Sequence, residues 1–164
     1  MFYEEEFKAF NKAKVKYVLV GGIAVNLLGS LRTTGDLDIL VEMSDENLAK
    51  IVRILKKYGY KVRQPVDPME IANRKIRKDW IRNKHMKAFN FYNDGQYKEV
   101  DLIIDSPVSY RDAKKNAILM TIGNLRLPVV SIDDLIVMKK AANRNIDKAD
   151  IQELRLIKKF KGKK

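Results

Sequence analysis

Cysteine is absent from all 164 residues and histidine occurs once, at His85. Disulfides, thiolate metal sites and a histidine-based zinc cluster are therefore excluded. No apolar run reaches the roughly 18 residues that a membrane-spanning helix needs, so no membrane partner is expected. The opening segment Met1-Phe2-Tyr3-Glu4-Glu5-Glu6 is acidic and lacks the basic and apolar stretches of a secretory leader, which makes the cytoplasm the expected compartment. Internal repeats and low-complexity linkers are also missing. What remains is a globular composition, 46% hydrophobic and 33% charged, outside the disordered and fibrous classes. The length suits a single domain over 1–164, with a C-terminal helical part at about 131–160.

The charge is one-sided: 33 Lys and Arg against 21 Asp and Glu give a net charge of +12. Such a balance fits an anionic partner. It equally fits the Lys/Arg/Glu-rich composition of a heat-adapted protein, and the two readings are compatible.

Strand and helix signals alternate along the chain. Phe7 and Phe10 sit at helical spacing within residues 4–14, with acids first and lysines last, as a helix dipole favours. Tyr17-Val18-Leu19-Val20 reads as a buried strand that stops at Gly21-Gly22, and a buried helix follows as far as Gly29. Asp36-Leu37-Asp38-Ile39-Leu40-Val41 reads as the next strand. A helix from Ser44 or Asp45 runs to Tyr58 and closes at Gly59, and Lys61-Val62-Arg63 forms a short strand. One or two helices lie in 69–84. Met86 to Tyr92 and Glu99 to Ile104 form a hairpin around Asn93-Asp94-Gly95. A helix near 108–116, two strands around 118–130, a helix from Ser131 and a last helix after Asp147 complete an α+β (mixed α/β) order.

The chemistry concentrates at the strand ends. Asp36 and Asp38, two positions apart in a strand, share one face. Flanked by Leu37, Ile39, Leu40 and Val41, two such like charges demand a raised pKa or a bound cation. All-oxygen ligands suit magnesium or manganese; a solvated strand face accounts for an isolated Asp-x-Asp equally well. Gly21-Gly22, at a strand-to-helix turn, lets a phosphate approach the first free amides of a helix. Asp101, among Val100, Leu102, Ile103 and Ile104, is a third carboxylate where a lone acid is costly. Three carboxylates on neighbouring strands suffice for two divalent ions. Asp105, at a strand end before Pro107, is the weaker candidate.

Together, Gly21-Gly22, the spacing to Asp36-Leu37-Asp38-Ile39, and the later Asp101 resemble the signature of the DNA polymerase beta-like nucleotidyltransferase superfamily. The resemblance is closest to small prokaryotic members related to abortive-infection toxins, and more remote to aminoglycoside nucleotidyltransferases. Leu135-Ile136-Val137-Met138-Lys139 followed by Ala142, Arg144, Asp147, Asp150 and Ile151 is similar to a helical pattern of the same relatives. The likeness spans roughly residues 17–156. It implies a mixed sheet flanked by helices, and transfer of a nucleoside monophosphate from a nucleoside triphosphate to a hydroxyl with release of pyrophosphate. It assigns Asp36 and Asp38 to two magnesium or manganese ions, and Asp101 to the catalytic metal or to the role of general base. Gly22 stands where many members carry a serine.

Around this centre, Arg32 and Lys139 are candidates to contact the triphosphate. Arg144, Asp147 and Asp150 read as a helix cap and ion-pair cluster, with Asp147 at the cap. The basic segment 73–87 surrounds Trp80, which either stacks a base or is buried behind a solvated helix face. The acceptor, a small molecule, a protein or RNA, is not written in these residues. The small chain leaves its pocket to be completed by a second copy in a homodimer or by another partner. The alternative is a nucleotide- or RNA-binding regulator, or a toxin-antitoxin component, on the same fold.

Overall fold

A computed structural model describes residues 2–162. In chain order it contains α1 (Glu4–Lys12), β1 (Tyr17–Leu19), α2 (Gly21–Leu28), β2 (Leu37–Val41), α3 (Asp45–Lys57), β3 (Lys61–Val62) and a 3-10 turn (Pro68–Ala72). Then follow α4 (Arg74–Asn83), β4 (Ala88–Asn93), β5 (Lys98–Ile103), α5 (Tyr110–Asn116), β6 (Ile118–Ile122), β7 (Leu125–Val129), α6 (Ile132–Ala142) and α7 (Asn145–Lys161). The α+β order expected from the sequence is therefore observed. The strands form one mixed sheet in the order β3-β4-β5-β2-β1-β7-β6, with β2–β5 and β1–β7 parallel and the other pairs antiparallel.

Local sequence explains most boundaries. Every residue of β1 is buried, as a central strand covered on both faces requires. Ser44 caps α3 by accepting from the Asn47 amide, and Leu48, Ile51, Val52 and Leu55 form its buried stripe. Gly59, at φ +82°, ends that helix in the left-handed region. Residues of β4 and β5 alternate in burial, so this hairpin has one face against the core.

Two details differ from the sequence reading, and the alternative left open at Trp80 is decided. Asp36 lies just ahead of β2 and is exposed, because the strand begins at Leu37. Helix α7 begins at Asn145, so Asp147 takes part in the cap from the third helical position, where it accepts from the main-chain N–H of Arg144 at 3.0 Å, and Arg144 occupies the N-cap itself. Trp80 is buried and stacked on Phe89, with ring centroids 5.2 Å apart, which excludes base stacking by this residue. Of the terminal lysine tail, Lys163 and Lys164 lie outside the described residues.

Helix α1 is anchored to β5 by a buried ion pair, Lys98 Nζ to Glu6 Oε1 at 2.9 Å, and Tyr60 donates to the same oxygen at 2.8 Å. Helices α6 and α7 pack on each other, and α7 also meets α2. This places the C-terminal pair beside the turn between β1 and α2.

Candidate active site

The glycine turn is shaped by a carboxylate. Gly21 adopts φ +65°, and a Cβ there would lie 1.9 Å from Oδ2 of Asp38. A Cβ on Gly22 would lie 2.4 Å from Oγ1 of Thr34. Neither position has room for a side chain, and Gly21 is required for its conformation as well. Val20 donates its N–H to the Asp38 carbonyl at 3.0 Å, which fixes the end of β1 against β2. Helix α2 starts at Gly21 with no side-chain cap from Val20, and the Gly22 amide meets the Asp38 carboxylate instead.

Asp38 and Asp101 are register partners on the parallel strands β2 and β5. Their side chains therefore leave the same face of the sheet, about one strand spacing of 4.8 Å apart. Burial pushes the Asp38 carboxyl up to about 7, the charges of Asp101 and Asp36 add to the rise, and the Gly22 amide and Lys139 oppose it. Asp101 is also raised by burial and by Asp36, against a hydrogen bond from Asn90. Asp36 stands at the open edge of this pair, where its charge reaches both.

Among the described residues no three His, Cys, Asp or Glu side chains converge tightly enough to enclose an ion. The donor set nevertheless fits magnesium or manganese. Both ions take oxygen ligands, and magnesium is commonly held by one or two carboxylates with substrate phosphates and water completing its shell. Asp38 and Asp101, half-buried and close in charge, supply those carboxylates, and a cation is the partner their raised pKa values call for.

Lys139 and Arg32 meet at the back of the site. Lys139 is buried, with Nζ 2.7 Å from Asp150 Oδ2 and 3.2 Å from Asp147 Oδ1. Arg32 Nη1 reaches the same Asp150 oxygen at 2.6 Å, and Arg144 Nε binds Asp147 Oδ2 at 2.9 Å. The expected ion-pair cluster is therefore present, and it includes both cations that the sequence directs to the triphosphate. It ties the loop between α2 and β2 to α6 and α7.

Three contributors escaped sequence reasoning. Asn90, the register partner of Asp101 on β4, donates to Asp101 Oδ1 at 2.8 Å and accepts from Gln64 at 2.8 Å. The polar Asn between Phe89 and Phe91 is the one signal that could have revealed it. Tyr3 places its hydroxyl 2.6 Å from the Gly35 carbonyl and 2.7 Å from the Glu99 carbonyl, and accepts from the Glu99 amide at 3.2 Å. It thereby joins the segments that carry Asp36 and Asp101, a link with no local signature.

A cleft of about 700 Å³ contains Gly21, Asp38, Asp101, Lys139, Arg144 and Asp147, so the glycine turn, the paired carboxylates and the basic cluster face one space.

Residues 5–154 match the model of the aminoglycoside-2''-adenylyltransferase family. The chain belongs to that family. It is accordingly a nucleotidyltransferase, on the relationship that the sequence signature ranks as the more remote one. No curated protein matches the chain. Its fold is shared with the lincosamide antibiotic adenylyltransferase LnuA in a lincomycin-bound structure, at 17% identity and TM-score 0.64, covering 95% of this chain and 96% of that one. ANT(2'')-Ia in complex with adenylyl-2''-tobramycin is similar at 13% identity and TM-score 0.57, over 92% and 83% of the two chains. An antigenic nucleotidyltransferase-like protein from Paracoccidioides brasiliensis is similar at 15% identity and TM-score 0.53, over 92% and 71%.

Proposed function

We propose that the chain transfers a nucleoside monophosphate from a nucleoside triphosphate to the hydroxyl of an acceptor, with release of pyrophosphate. The observation that carries this reading is the pairing of Asp38 with Asp101 in register, directly against the Gly21 turn. In it, the amides of Gly21 and Gly22 receive the phosphates at the start of α2, where the helix dipole favours negative charge. Arg32 and Lys139 supply positive charge behind them. Asp38 and Asp101, with Asp36 at the edge, would hold magnesium or manganese, which when bound would neutralise phosphate charge and favour ionisation of the acceptor hydroxyl. The acceptor oxygen bonds to the α-phosphorus as the bond to the bridging oxygen breaks, and pyrophosphate leaves. The hydroxyl proton passes to a carboxylate, and in this reading Asp101, which accepts a hydrogen bond from Asn90, takes it.

The test is thermal unfolding of the full chain with each nucleoside triphosphate, with and without magnesium, alongside the Asp36→Asn/Asp38→Asn double variant. A ligand at a hundredfold its Kd stabilises by about 2.7 kcal/mol. Magnesium-dependent stabilisation that disappears in the variant, with pyrophosphate released on addition of a competent acceptor, is the expected outcome. Equal stabilisation of both proteins overturns the assignment.

A further inference from the structure

The shortness of β3 leaves a gap in the sheet that one side chain fills. The strand ends at Val62, which pairs with Phe91. One residue further, the Arg63 N–H still donates to the Asn90 carbonyl at 3.1 Å. A continued antiparallel ladder would return the bond from the Asn90 N–H to the Arg63 carbonyl. That N–H goes instead to Oε1 of Gln64, at 3.4 Å. Pro65 disfavours helical backbone at Gln64, and the Val66 N–H donates to the Gln64 carbonyl at 2.8 Å, so the side chain that stands in for the strand starts from a fixed turn.

The two amides form a chain of fixed direction. The main-chain N–H of Asn90 can only donate, which turns Oε1 of Gln64 toward it and leaves Nε2 to donate to Asn90 Oδ1 at 2.8 Å. With its oxygen so occupied, Asn90 presents Nδ2 to Asp101 and donates to Oδ1 at 2.8 Å. An ionised carboxylate can only accept, so both ends of the chain select the same orientation. Among the described residues this is the only hydrogen bond on the Asp101 carboxylate. Asp101 needs the restraint: it is half-buried, the charges of Asp36 and Glu99 both act on it, and an aspartate turns easily about χ2.

We propose that Gln64 is a positioning residue for Asp101, acting through Asn90, and that the chain of amides engages Oδ1 so that Oδ2 stays available to the cleft that Asp101 lines. Neither Gln64 nor Asn90 lines that cleft, so their effect passes through the carboxylate. The inference rests on the proposed role of Asp101 in holding a metal ion.

Manganese binding to the full chain, titrated by electron paramagnetic resonance with a non-hydrolysable ATP analogue present, is the test. Gln64→Met keeps the length of the side chain and removes both polar atoms, and Asn90→Leu removes the donor itself. Partners that orient a metal-binding group commonly account for tenfold or more in affinity, so Asn90→Leu is expected to weaken manganese binding roughly tenfold, and Gln64→Met, one bond further away, roughly threefold. In an Asp101→Asn background neither change should weaken binding further, because the group they orient is gone. Gln64→Met that binds manganese as the wild-type chain does overturns the proposal. So does a Gln64→Met effect that persists in the Asp101→Asn background, since a general structural defect acts whichever residue stands at 101. A wild-type chain that binds no manganese, or an Asp101→Asn chain that binds it as tightly as wild type, is a different result: it removes Asp101 from the metal site, and this inference falls with that reading.

Discussion

Gly21 and Asp38 occupy space that no larger residue could share: a Cβ on Gly21 would lie 1.9 Å from the Asp38 Oδ2 atom. The backbone there also holds φ +65°, a conformation that costs an L-residue roughly 1–2 kcal/mol. Gly21→Ala should therefore push Asp38 out of place, lower the unfolding temperature and abolish pyrophosphate release. Gly35→Ala is the matched control, since no atom lies within 4 Å of a Cβ at that position. Thermal unfolding and a pyrophosphate assay on both variants decide the matter, and an active Gly21→Ala enzyme would contradict the contact.

The second prediction concerns pH in the metal-free protein. Asp38 titrates at about 7 in the fold, against 3.8 ordinarily, because burial and the neighbouring Asp101 oppose its charge. Between those values the unfolded chain releases a proton that the folded chain keeps, so this residue lowers native stability as pH rises from about 4 to about 7. In chelator at pH 8, Asp38→Asn should be the more stable protein by on the order of 2–4 kcal/mol, although it is inactive. Near pH 4 the difference should vanish. Chemical denaturation at the two pH values measures it, and a less stable Asp38→Asn protein at pH 8 would mean that the native carboxylate charge is already compensated.

Much of this arrangement was legible in the sequence. Glycines at the end of an apolar strand, aspartates inside another and an aspartate in a third are local signals, because a buried strand tolerates such residues only for a reason. The destination of Lys139 was not legible. Its periodicity places it on α6, but whether its ammonium meets phosphate or Asp147 and Asp150 depends on how α6 crosses α7, which no short pattern encodes. Trp80 presented the same difficulty: basic neighbours fit either a nucleic-acid surface or a solvated helix face over a buried ring, and only the placement of α4 against β4, with Trp80 stacked on Phe89, decides for the second. Arg77 likewise reads as part of a charged face, yet it is buried, paired with Asp45 at 2.8 Å and bonded to the carbonyls of Ile71 and Met43.

The third prediction isolates the shared carboxylate. Asp150 is 4% exposed and receives both Arg32 and Lys139 on one oxygen. Asp150→Asn removes the charge they share while keeping the side-chain shape, and should cost roughly 3 kcal/mol, as expected when a buried pair loses one partner. Arg32→Ala should cost less, since Arg32 is 20% exposed, yet it should weaken nucleoside triphosphate binding. Denaturant midpoints and nucleotide titrations on the two variants separate the effects. An unchanged midpoint for Asp150→Asn would show that the cluster contributes nothing to stability.

The hydroxyl of Tyr3 joins segments far apart in the chain. It reaches across 96 positions to Glu99, and Arg32 reaches across 118 to Asp150. A nascent chain carries Asp36 and Asp38 long before Asp101 is synthesised, and Arg32 has no counter-ion until the last helix emerges. Contacts so distant in sequence form late and slow folding. β5 and α7 must therefore fold onto the N-terminal segments before the cleft has its paired carboxylates and its cations together.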